Sequence, residues 1–599
     1  MQDKTVSYWL YFLIPAIIAG FLAMYPQISL WAAKGSAWQG SYVVSNYDEP
    51  AYSAYVNALV EGKPRKNDPF IAVDDAGHES LYSIQFIPAY IIALPARSLG
   101  VSTATAFILL SFIIAVISCL VLCRFLFAFT GEPLLSAAGS LIVLCFGTAA
   151  AFQGELSRLT TGNVLIDFFP FVRRYQPGIA FPLFFVFVFL VWKSFGSESM
   201  KRGAIFAASA GLVFAVLVFS YFYLWTAAAA WAVCAFAVAF VFLKENRRQV
   251  LTTAAILAAI GIISLIPYWK MLSDRTPELD RVQLLERTHS PEFLVLPLIL
   301  GLVGILLTAT LAFRARIELR TKEILVALTF FATPIILFNQ QVITGHSLQP
   351  VHYAVFIANY LVLAAFIMLV SGWIKASAFD TAVTKKILVY AALAAVLWGF
   401  IEASGSARFN AVASEIRDES LPAIRMIEKM RQDDPAVPER PVVLANNFIT
   451  SDSIPTYSTF RPLWNPHTSS AGGVSPEENK RLFYLYFYYS GYSGKELADA
   501  LNGNSFEITA AVFGSERALP ALAKGNAIKP DEIRKEVEKY DEFSRTFGEK
   551  DAAAPRLDFL IVPDKAEPNY ANIDRWYIRG EGQVTGLFKV FKLTPRSLP

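Results

Sequence analysis

Cysteine is scarce and poorly placed for cross-linking: the chain of 599 residues has four, Cys119, Cys123, Cys145 and Cys234, all inside apolar runs and none in the long polar segments. That excludes a disulfide framework or a cysteine-ligated zinc in those polar segments. Charge is also thin, at 17% Asp, Glu, Lys and Arg with a net charge of +3. No basic stripe remains once the positions of the loops are explained, so no nucleic-acid partner is implied. Short repeats are absent, and the first apolar run has no small-residue cleavage site after a short core. That run is therefore expected to stay as an anchor.

What the chain has in abundance is apolar length, with 55% hydrophobic residues and a mean hydropathy of +0.44. About eleven runs are apparent, near 8–32, 102–128, 133–153, 177–195, 203–225, 226–243, 250–270, 292–313, 323–338, 351–373 and 386–403, most of them long enough to span a bilayer. Basic clusters fall in every second loop: Lys193, Lys201 and Arg202; Lys244, Arg247 and Arg248; Arg314, Arg316, Arg320 and Lys322; Lys375, Lys385 and Lys386. The positive-inside rule makes these loops and the N-terminus cytoplasmic. Residues 34–101, 154–176, 271–291, 339–350 and the polar C-terminal part then share the outer face. The apolar stretch Leu81–Arg97 is read as a surface or re-entrant helix, because about seventeen residues at roughly 1.5 Å each fall short of a core of about 30 Å, and Pro88 and Pro95 interrupt it.

The expected fold is a polytopic α-helical membrane module, residues 1–403, followed by an outer α/β domain, residues 404–599. In that domain Val442–Ala445 and Leu557–Val562 read as buried strands, Pro476–Tyr489 and Asp531–Phe547 as helices, and Gly586–Leu593 as an alternating terminal strand. A multi-pass protein of a bacterial inner membrane, with its C-terminal domain outside, is the expected placement.

Residues capable of chemistry collect in the outer loops. The first holds Asn46-Tyr47-Asp48-Glu49-Pro50-Ala51-Tyr52. Pro50 suits a first helical turn, so the carboxylates lie at the positive end of a helix over 50–61, where they stay ionised and can serve as base or metal ligand. Simple helix capping by Asp48 is the alternative. Asp68, Asp74, Asp75, His78 and Glu79 follow; with Asp48 and Glu49, Asp74 and Asp75 are hard ligands suited to Mg²⁺ or Mn²⁺, or else a solvated acidic loop. Arg158, Arg173 and Arg174 run against the charge trend by lying outside, with Asp167, several aromatic residues and Gln176 nearby in sequence. Their planar forks suit a lipid-linked phosphate, phospholipid headgroups or a pairing with Asp167. Asn339, Gln340, His346, Gln349, His352 and Tyr353 crowd the membrane boundary between runs nine and ten, either as a sugar- or phosphate-reading site or as a helix-end network. His467 has no ligand-spaced partner, and metal binding there is not expected.

A cytoplasmic N-terminus, an acidic Asp48-Glu49 pair in the first outer loop, many spans and an outer C-terminal domain together resemble the GT-C superfamily of membrane glycosyltransferases. The resemblance covers the whole architecture, while its one matching motif is the Asp-Glu pair; no oligosaccharyltransferase Trp-Trp-Asp signature is present. It implies transfer of a sugar, usually with inversion, from a polyprenyl-phosphate carrier to a glycan, lipid or protein acceptor at the outer face. In that scheme Asp48 is the base and Glu49 orients acceptor or holds Mg²⁺ or Mn²⁺. Arg173, Arg174 and Arg158 meet the donor phosphate, while Tyr52, Gln176, Asn339, Gln340, His346, Gln349, His352 and Tyr353 touch substrate. Two other classes stay open: a lipid or solute transporter, whose usual mid-span ionisable residues are missing here, and a scaffold whose outer domain binds cell-wall polymer.

Overall fold

An apolar segment in hydrocarbon must satisfy its own backbone, and a helix does so within one stretch of chain. The computed structural model describes residues 2–162, 173–377, 380–503, 505–518, 527–566 and 568–596. Among these residues nine helices are long and apolar enough to cross a membrane, and they fall on nine of the eleven runs. The molecule is a polytopic α-helical membrane protein with a C-terminal α/β domain.

The other two runs fold as shorter helices, Pro133–Cys145 and Ala180–Phe195. At about 1.5 Å per residue they reach only roughly 20 and 24 Å, less than a hydrocarbon core of about 30 Å. Protein rather than lipid surrounds much of the second, whose Phe181, Phe184, Phe185, Val188 and Val191 are buried. The run expected over 133–153 breaks at Phe146, and the freed Gly147 carbonyl accepts from the Asn359 amide at 2.8 Å. Leu81–Arg97 is likewise broken, into Leu81–Ile84 and Ile87–Leu99, each too short to cross.

Helix ends follow local chemistry. Ser102 caps Thr103–Thr130 by accepting from the Thr105 N–H at 3.2 Å, and Gly131, at φ 71°, ends it in the left-handed region that glycine adopts without cost. The last apolar helix, Thr381–Phe409, runs past residue 403 without a break, and Ala411–Asp433 then leads into the outer domain.

That domain is built on one sheet in the order Arg461–Pro462, Val442–Ala445, Phe559–Pro563, Phe588–Pro595, Tyr577–Arg579, with Gln583–Thr585 also paired to Phe588–Pro595. The first three strands are parallel and the remaining pairings antiparallel. Helices Pro476–Tyr489 and Pro530–Thr546 contribute to an aromatic core with Trp464, Phe483, Tyr486, Tyr488 and Tyr540.

The first polar loop is clamped between module and domain. The Asp418 carboxylate accepts from the backbone N–H of Gln39 and Ser41 and from the Ser41 hydroxyl at 2.8 Å. Helix Glu49–Val60 has every side chain from Glu49 to Leu59 buried. It packs on helix Phe448–Tyr457 of the outer domain, where the Ser53 and Thr456 hydroxyls are 2.8 Å apart and Asn57 donates to the Pro455 carbonyl at 3.3 Å. An acidic turn is thereby fixed at the seam between membrane and outer domain.

Candidate active site

Pro50 sits in the first turn of helix Glu49–Val60, and Asp48 occupies the N-cap position without making a side-chain capping bond. Its carboxylate turns instead to Arg173, with Nη2 to Oδ2 at 2.7 Å. The same Nη2 donates to the Tyr52 hydroxyl at 2.9 Å, and the guanidinium lies over the Tyr52 and Phe356 rings at 4.9 and 5.6 Å. Arg173 is 3% exposed while the Asp48 side chain is 49% exposed. A buried cation thus holds a half-exposed carboxylate.

Electrostatics keep that carboxylate ionised. Burial pushes the Asp48 carboxyl up, but the Arg173 guanidinium, then His467 and His352, pull harder and hold it below the ordinary carboxylate value. Burial pushes the Tyr52 phenol up to about 12, against the pull of Arg173, so it remains a neutral hydroxyl. Tyr52 also stacks on Tyr175 at 4.7 Å with planes 5° apart, which fixes the ring from the side of the arginine segment.

The neighbouring acid has a different fate. Glu49 is fully buried; its Oε1 takes Arg174 Nη1 at 2.8 Å and its Oε2 takes the Ser45 N–H and hydroxyl at 2.8 and 3.2 Å. Arg174 completes its fork with Ser111 Oγ at 2.5 Å and the Val43 carbonyl at 2.8 Å. Glu49 therefore braces the turn instead of meeting acceptor or metal, and Arg174 directs these donors inward rather than toward a donor phosphate. Arg158 is elsewhere, paired with Glu155 at 2.6 Å. Asp167 and its neighbours up to Val172 lie outside the described residues.

The expected metal ligands do not fit a divalent cation. Guanidinium groups hold Asp48 and Glu49, Arg440 binds Asp74 at 2.5 Å with Lys63 at 3.7 Å, and Lys66 lies 3.7 Å from Asp75. Among the described residues no three His, Cys, Asp or Glu side chains gather into a ligand set. Cationic side chains occupy the positions at which Mg²⁺ or Mn²⁺ would compete.

The 339–353 stretch divides. Asn339 exchanges bonds with the Glu292 backbone, Gln340 donates to the His346 carbonyl at 3.0 Å, His346 turns its ring to the Thr344 carbonyl, and Gln176 donates to the Ser220 carbonyl at 2.7 Å. These amides tie loops together. Gln349 holds φ +35°, a strained value for a side-chain-bearing residue, and its amide anchors the turn on the Gln283 carbonyl at 2.9 Å. That turn delivers His352, which stacks on Tyr223 at 4.7 Å and acts on Asp48. One turn on, the π-helical segment Ala354–Ala358 sets Phe356 beneath Arg173.

Tyr353 opens onto a second feature, a largely apolar cavity of about 530 Å³. Phe222, Trp225, Ala229 and Leu337 give it an oily wall, while Arg275, Asp280, Gln340 and His346 supply polar groups. Its size falls within the range of small-ligand pockets, about 300–1,000 Å³.

Two residues that sequence reasoning did not bring to the site come from the outer domain. His467, 3% exposed, bonds Asp452 Oδ1 through Nδ1 at 2.7 Å and lies 4.7 Å from the Tyr47 ring. Burial pulls its imidazole down, but Asp452 outweighs that and raises it above the usual value, with smaller help from Asp48 and the Tyr47 carbonyl. Nothing in the spacing of Asp452 and His467 announces the pair; only the docking of the outer domain on the first loop does.

No family model matches this chain, and no curated protein does. Among solved structures it is similar to the oligosaccharyltransferase AglB from Archaeoglobus fulgidus in complex with an inhibitory peptide and a dolichol-phosphate, at 14% identity and a TM-score of 0.47, covering 100% of this chain and 75% of that one. It is also similar to ArnT from Cupriavidus metallidurans in the apo state, at 11% identity and a TM-score of 0.45, covering 98% of both chains. ArnT bound to undecaprenyl phosphate matches at 11% identity and a TM-score of 0.40, covering 96% of this chain and 98% of that one.

Proposed function

We propose that this chain is an inverting membrane glycosyltransferase that moves a sugar from a polyprenyl-phosphate-linked donor to an acceptor hydroxyl at the outer face. The observation that carries the reading is the half-open Asp48 carboxylate, kept ionised by a buried arginine at the start of a buried helix. A carboxylate so placed accepts a proton well and is poorly explained as structure, because it neither caps its helix nor is closed off by its ion pair.

The chemistry assigns each group a task. As the acceptor oxygen bonds to the anomeric carbon, its proton passes to Asp48. The bond from that carbon to the phosphate oxygen breaks, its electron pair leaves with the polyprenyl phosphate, and Arg173 stabilises the growing anionic charge. Tyr52 holds the guanidinium through its hydroxyl and ring. The apolar cavity receives the first part of the lipid chain, and Arg275 or His346 meets polar groups at its mouth. Glu49 and Arg174 keep the turn rigid. The carrier class is the one named in the AglB and ArnT complexes, a polyprenyl phosphate; the grounds for it here are the oily cavity and the cation beside the carboxylate.

The test is donor consumption followed by mass spectrometry, with purified wild type and Asp48→Asn, a panel of polyprenyl-phosphate monosaccharides and membrane extract. Consumption of one donor by wild type alone supports the reading. Equal consumption by both variants removes Asp48 from its centre. Consumption by neither, with lipid moved across a vesicle membrane by wild type, replaces it with transport.

A further inference from the structure

The outer domain does more than sit on the first loop. Its Asp452 and His467 are 7% and 3% exposed, and burying an ionisable pair costs desolvation that an apolar contact would avoid. Their arrangement is highly ordered. The His467 N–H donates to Asn465 Oδ1 at 3.1 Å, Thr468 ties back to the Asn465 carbonyl at 2.9 Å, and Asp452 lies on helix Phe448–Tyr457, which packs on helix Glu49–Val60. With Nδ1 committed to Asp452 at 2.7 Å, the imidazole has only Nε2 to present, and that atom is buried without a well-formed hydrogen bond.

The ring's surroundings belong to the catalytic turn. Tyr47 lies 4.7 Å from His467 and is closed on another side by Phe506 at 5.3 Å, while Phe70 of the first loop is 6.5 Å away. Titratable groups acting here are Asp452 and Asp48 on the imidazole, Asp452, Glu507 and Asp48 on Tyr47, and Arg173, His467 and His352 on Asp48. The carboxylate is thus acted on from separate parts of the chain, by Arg173 of the arginine segment and by His467 of the C-terminal domain.

We propose that Asp452 and His467 are positioning residues for the transfer reaction: the outer domain completes the reaction centre by holding the Tyr47–Asp48 turn and adding a second positive group beside Asp48. This rests on the glycosyltransferase reading for its consequence, though not for its geometry. Undocking the domain would remove a charged group from the site as well as a wall, so docking of the domain and readiness of the base are linked.

The experiment separates the two claims. The full-length protein in detergent is labelled with ¹³C at histidine, the five histidines are followed by NMR across pH, and His467 is assigned by the signal lost in His467→Gln. Asp48→Asn is expected to lower the His467 midpoint by roughly 0.5 pH unit or more, and Asp452→Asn by more. In donor turnover, His467→Gln is expected to lower kcat by roughly 10-fold and to move the acid limb of the pH profile upward, since Asp48 loses a cation. An unchanged His467 midpoint in Asp48→Asn overturns the inference whatever the protein catalyses, as does His467→Gln activity that falls with no change in pH profile. A shifted midpoint with no donor turnover in any variant supports the coupling and removes the function instead.

Discussion

Arg173 and Asp48 form an ion pair that is closed on one side and open on the other, 2.7 Å long with side chains 3% and 49% exposed. The adjacent pair, Arg174 and Glu49, is closed on both sides, at 2.8 Å with 6% and 0%. Consecutive residues in both segments therefore differ in access, one pair half-exposed and the other closed.

Asp48→Asn keeps the size of the side chain and removes its basicity. Donor turnover is expected to fall by about 10²–10⁴-fold, the usual contribution of a positioned general base, with a smaller fall in unfolding temperature than Glu49→Ala, because the amide still accepts from Arg173 and the site is half-exposed. Retention of full turnover in a folded variant removes Asp48 from the mechanism.

Glu49→Ala should show the opposite pattern. Removing one partner of a buried pair strands the other charge, at a cost of about 3–5 kcal/mol, so the variant is expected to lose folded protein and unfolding temperature. The double variant Glu49→Gln with Arg174→Met should recover much of that loss. Thermal unfolding of the three proteins checks this, and a normally stable Glu49→Ala with selectively lost turnover would return Glu49 to the chemistry.

Arg173→Gln removes the charge proposed to meet the donor phosphate and the main partner of Asp48 together. KM for donor should rise by 10-fold or more, roughly the worth of one charge-assisted bond. The acid limb of kcat/KM should also move to higher pH, because the Asp48 carboxyl, now held low by this cation, returns upward. Arg173→Lys, a point charge without the fork, should retain more of the pH profile than of the donor affinity.

His467 makes stability depend on pH with a definite sign. Its folded value lies above the 6.5 of a free imidazole, so the stability it contributes is fully present below that unfolded value and is lost as pH rises through the folded one. Unfolding temperatures measured from pH 5 to 9 should fall across that window in wild type, and His467→Gln should lack that component. Parallel curves for the two proteins would contradict this.

Ala229 lines the apolar cavity. Ala229→Phe fills it, and is expected to raise KM for long-chain polyprenyl donors while leaving a short-chain water-soluble phosphate donor unaffected. Equal KM values for the long-chain donor in variant and wild type would place the lipid elsewhere.

Much of the fold was legible because its determinants are local. Apolar runs became helices where they were read, Pro476–Tyr489 matched residue for residue, and Val442–Ala445 formed its strand, since period and length are written in consecutive residues. Misreadings arose where neighbours intervene: 133–153 breaks at Phe146, where Asn359, 212 residues away from Gly147, donates to the Gly147 carbonyl. At the site, Asp48, Arg173 and His352 were visible as unusual residue types in the polar loops. Their company was not, because Asn339, Gln349 and Gln176 look equally polar in sequence and differ only in which backbone carbonyl they reach.

Alone, the sequence determined where the chain is apolar, roughly where its helices lie, and that its candidate site residues lie in the polar loops, all properties of residues a few positions apart. Which of two adjacent acids would be open, which of two adjacent arginines would reach it, and that Asp452 and His467 would stand beside it were decided by tertiary structure. Burial and hydrogen-bond partners across 125 residues, as between Arg173 and Asp48, exist only after the C-terminal domain and the membrane helices have closed on the same turn, and those contacts set whether a carboxylate is closed off or left open.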